Sequence, residues 1–318
     1  MTAQTTAVVT GVAGFIGSHL AERLLADGHR VVGVDCFRDY YPRAAKERNL
    51  ARLRGGADFT FVEADLSTAD CEALLGGADY VFHQAAQAGV RASWGDTFAT
   101  YVRDNIAVTQ RLLEAARRAR GLRAFVFASS SSVYGDAETM PTPEETAPRP
   151  VSPYGVTKLA CEHLCRVYHR SFDVPTVALR YFTVYGPRQR PDMALQRFCT
   201  AFVRGDGISI YGDGEQTRDF TFVSDAVEAN IRATMPAAVG HVFNIGGGST
   251  ISIRRVIDVL RRLTGKTVPV SYSAAEKGDA RHTAADIHKA KTILGFAPTV
   301  DITEGLRRQL EWVQGVAT

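Results

Sequence analysis

Residues 7–17 restrict the possible folds of this chain more than any other stretch. Ala7-Val8-Val9-Thr10 is a short apolar, β-branched run. It leads into Gly11-Val12-Ala13-Gly14-Phe15-Ile16-Gly17, and the residues from Ser18 to Leu25 then have helical apolar spacing. The order is strand, glycine turn, helix. Glycines at 11, 14 and 17 let the backbone turn tightly, approach a pyrophosphate without a side chain in the way, and pack helix against strand, while the helix N-terminus offers amide donors to an anion. The spacing, G-x-x-G-x-x-G, departs from the commoner G-x-G-x-x-G. A second strand, Arg30-Val31-Val32-Gly33-Val34-Asp35, ends about twenty residues on in a carboxylate, where dinucleotide-binding folds hydrogen-bond the adenosine ribose. Asp35 favours NAD over NADP because a 2′-phosphate there would meet like charge. Arg38, close by, weakens that preference slightly.

Ser152-Pro153-Tyr154-Gly155-Val156-Thr157-Lys158 carries the second signal. Tyr154 and Lys158 stand one helical turn apart on one face. A phenol titrates near ~10 and a lysine near ~10.4 in water, so a positive neighbour that favours phenolate would make Tyr154 a usable base near neutrality. Such a pair alone is an ordinary solvated helix face; with the glycine turn it is general acid–base hardware. A third segment, Phe125-Val126-Phe127-Ala128-Ser129-Ser130-Ser131-Ser132-Val133-Tyr134-Gly135, is a hydrophobic strand that delivers hydroxyls to the edge where open α/β sheets bind ligands. Those hydroxyls could equally satisfy strand-end backbone groups.

Strands and helices alternate through the first half: a polar helix around 44–53, strand 59–63, strand 80–83, helix 109–118, strand 124–127, the Tyr154 helix and strand 176–179. This succession predicts an α/β fold with a doubly wound parallel Rossmann sheet. Beyond about 186, glycine- and proline-punctuated pieces with helices near 225–234, 254–263 and 303–313 predict a smaller C-terminal α/β lobe. The expected division is an NAD-binding domain over 1–185 and a substrate-facing lobe over 186–318.

At 318 residues, 45% hydrophobic, 22% charged and formally +3, the chain can bury a large core and has no polyelectrolyte character, so no nucleic-acid partner is expected. Arg117-Arg118-Ala119-Arg120 and Arg261-Arg262 lie near helix ends, where cations complement the dipole. Five cysteines without paired C-x-x-C spacing indicate neither a disulfide framework nor a zinc site, and no metal is expected. Cys161 and Cys165 read as core thiols. No apolar run reaches spanning length and Met1 to Thr6 has no basic leader, so no membrane partner and a reducing cytoplasmic setting are expected.

Together, Gly11 to Gly17, Asp35, the serine run before Val133-Tyr134-Gly135, and Tyr154 with Lys158 resemble the extended short-chain dehydrogenase/reductase family over nearly the whole chain. The resemblance implies a triad of Ser130, Tyr154 and Lys158, Ser130 being the serine four residues before the Val-Tyr-Gly tyrosine. It implies NAD contacts from Phe15, Ile16, Asp65, Leu66, Gln84, Ala85, Ala86, Asn105 and Tyr181 as well. Asp65 could instead cap the next helix. Asp39-Tyr40-Tyr41, the segment from His83 to Arg91 and the segment from Arg180 to Ala194 look like those of UDP-glucuronate 4-epimerases, where they flank the substrate. On that likeness Gln87, Thr183, Met193 and Tyr211 become substrate contacts. Arg190, and after it Arg188 or Arg91, becomes a partner for the sugar carboxylate or the pyrophosphate, since guanidinium forks fit both.

The resemblance also implies that the chain returns to the NAD-binding sheet near 220–247 and makes 186–318 a UDP-sugar-binding lobe, in which Gly212 to Phe220 resembles the diphosphate portion of the family site and singles out Arg218, with Asp279 toward the uridine and Arg281 as a second cation. UDP-glucuronate decarboxylases of the family carry Glu two residues before the Val-Tyr-Gly tyrosine; this chain has Ser132. Oxidation at C4 of a glucuronate makes a β-keto acid that loses carbon dioxide when its carboxylate stands perpendicular to the new carbonyl, so an epimerase must hold that group out of line. Thr183 with Ser131 or Ser132 is expected to do so. The implied activity is NAD-dependent, reversible C4 epimerisation of UDP-glucuronate to UDP-galacturonate through a 4-keto intermediate. A 4-epimerase of a neutral UDP-hexose, a UDP-glucuronate decarboxylase and a nucleotide-sensing regulatory protein are the alternatives. Apolar residues beyond one face of the helices near 109–118 and 154–170 suit a homodimer of the kind seen among relatives.

Overall fold

The computed structural model describes residues 4–274, 278 and 280–317. Its centre is a seven-stranded, all-parallel sheet of β1 (Thr6–Thr10), β2 (Arg30–Asp35), β3 (Phe59–Glu63), β4 (Tyr80–His83), β5 (Ala124–Ser130), β6 (Thr176–Tyr181) and, far along the chain, Val242–Ile245. Between β6 and that last strand come β7 (Val184–Tyr185), β8 (Ile208–Tyr211), β9 (Thr217–Asp219) and β10 (Thr221–Phe222), which makes Val242–Ile245 β11; β12 (Thr250–Ser252) and β13 (Val270–Ser273) follow. The sheet order is β11-β6-β5-β4-β1-β2-β3. The chain therefore winds outward from β1 to β3, then returns to β1's other side at β4, and ligands bind at such reversals beyond the strands' carboxyl ends.

Alternation along each strand builds two cores. Val9, Phe82, Val126 and Leu179 face one layer, whereas Val8, Val81, Phe125 and Ala178 face the other. Burial of each of the valine, leucine and phenylalanine side chains among them contributes roughly 1.5–3 kcal/mol. Helices α1 (Phe15–Ala26), α2 (Arg43–Leu50), α3 (Cys71–Leu75), α4 (Phe98–Tyr101), α5 (Val108–Arg118), α6 (Pro153–Phe172), α7 (Ala194–Arg204), α8 (Val223–Arg232), α9 (Ile253–Thr264) and α10 (Ile302–Ala317) complete the chain. α3, α5 and α6 lie over the second layer; α1 packs with α8 over the first. In the C-terminal part α7 packs against α9 and α10. Three two-stranded sheets lie outside the main one: β7 with β10, β8 with β13 and β9 with β12.

Two local features differ from expectation. The helix placed around 44–53 closes at Leu50 and continues as turns through to Gly55, which still bury Leu53 while Ala51, Arg52 and Arg54 are exposed. α4 and α5 are continuous through a π-helical turn, Val102–Ala107, a wide geometry that recurs at functional sites and here carries Asn105 inward.

Candidate functional site

The glycine turn opens at Gly11, whose φ of +70° is left-handed and whose amide donates to Val34 O at 2.8 Å. A Cβ at Gly11 would lie 2.8 Å from the Ala85 amide nitrogen, so the chain after β1 and the chain after β4 pass too closely for a side chain. A methyl at Gly17 would press into the Gly11 carbonyl, lying 2.9 Å from its carbon. Gly14 is the N-cap of α1, which has neither a side-chain cap nor an acid in its first turn. Twelve residues of helix thus direct uncapped amide donors and the positive dipole end at the cleft, the arrangement that suits a pyrophosphate.

One cleft runs along the carboxyl edge of the sheet. Gly11, Gly14, Phe15, Ile16 and Gly17 form its floor, and Asp35, Arg38, Asp65 and Leu66 form one end. Gln84, Ala85, Ala86, Gln87, Tyr154, Lys158, Tyr181 and Arg190 form the other. Asp35 accepts from the Phe37 amide at 2.8 Å and the Ala13 amide at 3.1 Å. Burial raises its pKa, opposed by the Phe37 amide and the Lys46 charge. Arg38 pairs with Asp65 at 2.9 Å and with Asp104 at 3.1 Å. Its guanidinium is thus shared between two carboxylates on the cleft wall. Asp65 does not cap a helix: it accepts from Ser67 N at 2.9 Å, and Asp70 caps α3. Burial alone would raise Asp65, but Ser67 and Arg38 outweigh it and its pKa falls.

At the other end, α6 starts cleanly because Ser152 accepts from the Gly155 amide and Pro153 fixes the first turn. A Cβ on Gly155 would lie 3.2 Å from the Ser132 carbonyl carbon, so only glycine lets this turn of α6 reach the 3₁₀ turn Ser131–Val133. The Ser130 hydroxyl lies 3.1 Å from that of Ser132 and is one of the groups that lower the Tyr154 phenol. Ser130, Ser131 and Ser132 are half-buried beside the cleft and are not on its wall.

The electrostatics of the pair differ from expectation. Burial pushes the Tyr154 phenol up; the groups that pull it down are Arg190 and the Ser130 hydroxyl. Lys158 donates to Ala128 O at 2.7 Å, and burial lowers it to about 8, opposed by Cys161, Glu162 and Cys165. The cation that pulls the Tyr154 phenol down is therefore Arg190. Arg190 pairs with Asp192 through two 2.9 Å contacts, and its guanidinium lies 5.6 Å from the centre of the Tyr40 ring.

Other expected residues stand apart from this wall. Asn105 is buried, accepts from Gln87 N at 2.8 Å and donates to Gln87 O and to Thr157 at 3.0 Å, tying the segment after β4 to α6. Thr183 lies between β6 and β7, its carbonyl accepting from Thr221 N. Met193 is the N-cap of α7. Arg91 stacks 4.1 Å from the centre of the Tyr211 ring. Arg218 donates to the Thr217 and Arg281 carbonyls, and Arg281 pairs with Asp213 at 2.8 Å. Arg188 is directed away, pairing with Glu22 at 2.7 Å. Asp279 lies outside the described residues.

Sequence reasoning missed Lys46, which lines the cleft and donates to the Arg38 carbonyl, because its helix carries no marked apolar face. It also missed Asn230 of α8, fully buried, which accepts from Gln84 at 2.9 Å and donates to the Tyr181 hydroxyl at 2.7 Å. An uncharged polar residue inside an amphipathic helix leaves little trace in a single sequence. Among the described residues there is no metal-ligating cluster and no helix long and apolar enough to cross a membrane.

Known proteins with the same architecture fit this cleft. Residues 7–246 match the family described as Epimerase: NAD dependent epimerase/dehydratase family. A Bacillus subtilis (strain 168) protein called an uncharacterised UDP-glucose epimerase, YtcB, is 45% identical over 97% of this chain and 98% of its own. A UDP-glucuronate 4-epimerase of Thermodesulfobacterium geofontis is 39% identical over 96% and 95%. The crystal structure of UDP-glucuronic acid 4-epimerase from Bacillus cereus in complex with UDP-glucuronic acid and NAD aligns with a TM-score of 0.95 and 43% identity, covering 98% of this chain and 100% of that one. A glycine cradle at a helix N-terminus, an acid at the end of β2, a serine–tyrosine–lysine cluster beside them and these likenesses lead to one assignment: the chain belongs to the NAD dependent epimerase/dehydratase family and is an NAD-dependent enzyme on the Rossmann plan.

Proposed function

We propose that this enzyme interconverts UDP-glucuronate and UDP-galacturonate by inverting C4 through a 4-keto sugar. The observation that carries this reading is Arg190: a guanidinium on the cleft wall whose charge acts on the Tyr154 phenol, where an anionic sugar would need a counter-charge. NAD bound in this cleft would accept the C4 hydride and give it back to the other face of the 4-keto sugar, and its positive ring would further favour the phenolate. Tyr154 takes the proton of the C4 hydroxyl and later returns it. Ser130 donates to the oxygen on which negative charge develops. Lys158, charged below about 8, keeps the local field positive. Arg190, Thr183 and the Ser131–Ser132 hydroxyls hold the sugar carboxylate out of line with the new carbonyl, which suppresses loss of carbon dioxide. On the same reading the Gly11–Gly17 turn, Asp35, Asp65, Leu66, Gln84, Ala85, Ala86 and Tyr181 take the cofactor, with Asn105 acting through Gln87. Gln87, Met193, Tyr211, Arg91, Arg218 and Asp279 take the UDP-sugar, and Arg38 holds Asp65 in place.

A neutral UDP-hexose is the second reading, favoured by one specific contact: Asp192 already neutralises Arg190 with two hydrogen bonds. Incubation of the purified enzyme with UDP-glucuronate, with no NAD added, is expected to yield UDP-galacturonate as the chromatographic product. A UDP-pentose would replace the epimerase by a decarboxylase, and turnover of UDP-glucose alone would favour the neutral sugar.

Trp94, Phe98 and Val102 at the start of the α4–α5 helix, with Val156 and Val167 on α6, leave apolar side chains 37–53% exposed. Trp94, Phe98 and Val156 line one shallow groove, an exposed apolar surface that supports a homodimer. Light scattering is expected to give a mass of two chains; the mass of one would end this reading.

A further inference from the structure

Glu162 follows Lys158 by four residues on α6, so Tyr154, Lys158 and Glu162 share one face. Glu162 and Arg180 are both buried, the side chains 5% and 6% exposed. The guanidinium donates through Nε at 2.9 Å and Nη2 at 2.7 Å to the two carboxylate oxygens. Glu162 also accepts from the Ser129 hydroxyl. Ser129 and Arg180 are paired in the β5–β6 register, and the next pair along is Ser130 with Tyr181. The remaining Arg180 nitrogen donates to the Tyr134 hydroxyl at 2.7 Å, which in turn donates to Asn244 of β11 at 2.7 Å. One buried ion pair therefore connects the helix of Tyr154 and Lys158 to the strand of Ser130, to the tyrosine that closes the serine turn, and to the sheet edge.

A buried pair is no stronger a source of stability than apolar packing of the same volume. What it adds is a fixed geometry, since a two-point fork sets both distance and orientation. We infer that Glu162 and Arg180 are positioning residues: the pair sets the height of α6 over β5, which brings Tyr154 and Lys158 into register with Ser130. Neither residue lines the cleft, so the pair acts through the groups that do. The inference rests on Ser130, Tyr154 and Lys158 being the working groups proposed above. The groups around Lys158 are Tyr154, Cys161, Glu162 and Cys165 of its own helix, with His83 of β4 and the Phe127 ring of β5, and Arg180 of β6 reaches it through Glu162. Among the groups that act on the ammonium, Glu162 and the two thiols are the ones that raise it. His83 is itself held near 3 by burial, so it is neutral through the working range.

The test compares wild type with Glu162→Gln and with the neutral double variant Glu162→Gln/Arg180→Met, each corrected for bound NAD per chain. If the single variant does not give soluble protein, the double variant decides. A displaced helix is expected to lower kcat by about 10- to 100-fold. KM for the UDP-sugar should change by less than about threefold, because the pair leaves the cleft wall intact. The alkaline limb of the kcat profile, set by loss of the Lys158 proton, should move to lower pH by about one unit in the single variant and by less in the double one. Packing alone would lower NAD content or thermal stability and leave that limb in place. A limb that stays fixed, or kcat within twofold of wild type, overturns the inference. Ratios are read on whichever UDP-sugar the wild type converts, so failure to turn over UDP-glucuronate counts against the proposed substrate and not against the pair.

Discussion

Replacing Tyr154 with phenylalanine is expected to lower kcat by about 10³-fold, within the range for a lost general acid–base. The substitution removes one oxygen and keeps the ring, which packs edge-on to Tyr101 at a centroid distance of 6.3 Å. Ser130 keeps Ser132 as its hydrogen-bond partner, so no buried donor is stranded. Circular dichroism and NAD content should match wild type, and KM should change little, because the lost interaction is made as the proton moves. A variant retaining a tenth of wild-type kcat would remove Tyr154 from the chemistry and leave the cleft a binding site only.

Replacing Arg190 with alanine is the second large effect, and it separates two roles. If Arg190 meets a sugar carboxylate, removal of a charge-assisted pair costs about 2–3 kcal/mol, a fall of about 30- to 150-fold in kcat/KM for the uronate. Because its charge also lowers the Tyr154 phenol, kcat should fall for every substrate, with the optimum displaced to higher pH. The discriminating quantity is the ratio of kcat/KM for UDP-glucuronate to that for UDP-glucose. A ratio at least about 30-fold below wild type assigns the carboxylate to Arg190. An unchanged ratio leaves Arg190 acting on Tyr154 alone, held by Asp192, and favours the neutral hexose.

These experiments bear on residues whose identity was legible in the sequence but whose electrostatics were not. The glycine turn, Asp35, the serine run and the Tyr154–Lys158 spacing all end up at the carboxyl edge of one sheet, because each follows directly on a strand or opens a helix and local pattern fixes its position. Burial is a property of the assembled cleft. It reversed the expected shift of Tyr154 and took Lys158 down to about 8, while Arg190, more than thirty residues away in sequence, became the opposing charge. Arg38 shows the same limit: its place near Asp35 in sequence gave no sign of Asp65 and Asp104, which the fold brings to it.

The C-terminal part was less legible for a different reason. β7 and β10 have two residues each and β9 and β12 three, too few for an alternating pattern, and each pairs with a segment distant in sequence. β11 shows the converse case. Its apolar run is short, yet it completes the main sheet beside β6 and puts Asn244 where Tyr134 can donate to it. The Glu162–Arg180 pair joins residues 18 apart whose types alone suggest two surface charges.

The most direct test of the account is the product of UDP-glucuronate turnover in deuterium oxide, read by proton NMR with no NAD added. If C4 is inverted by removing and returning its own hydrogen within one active site, UDP-galacturonate forms with protium at C4. Deuterium at C4, or a UDP-pentose in place of the epimer, would contradict it.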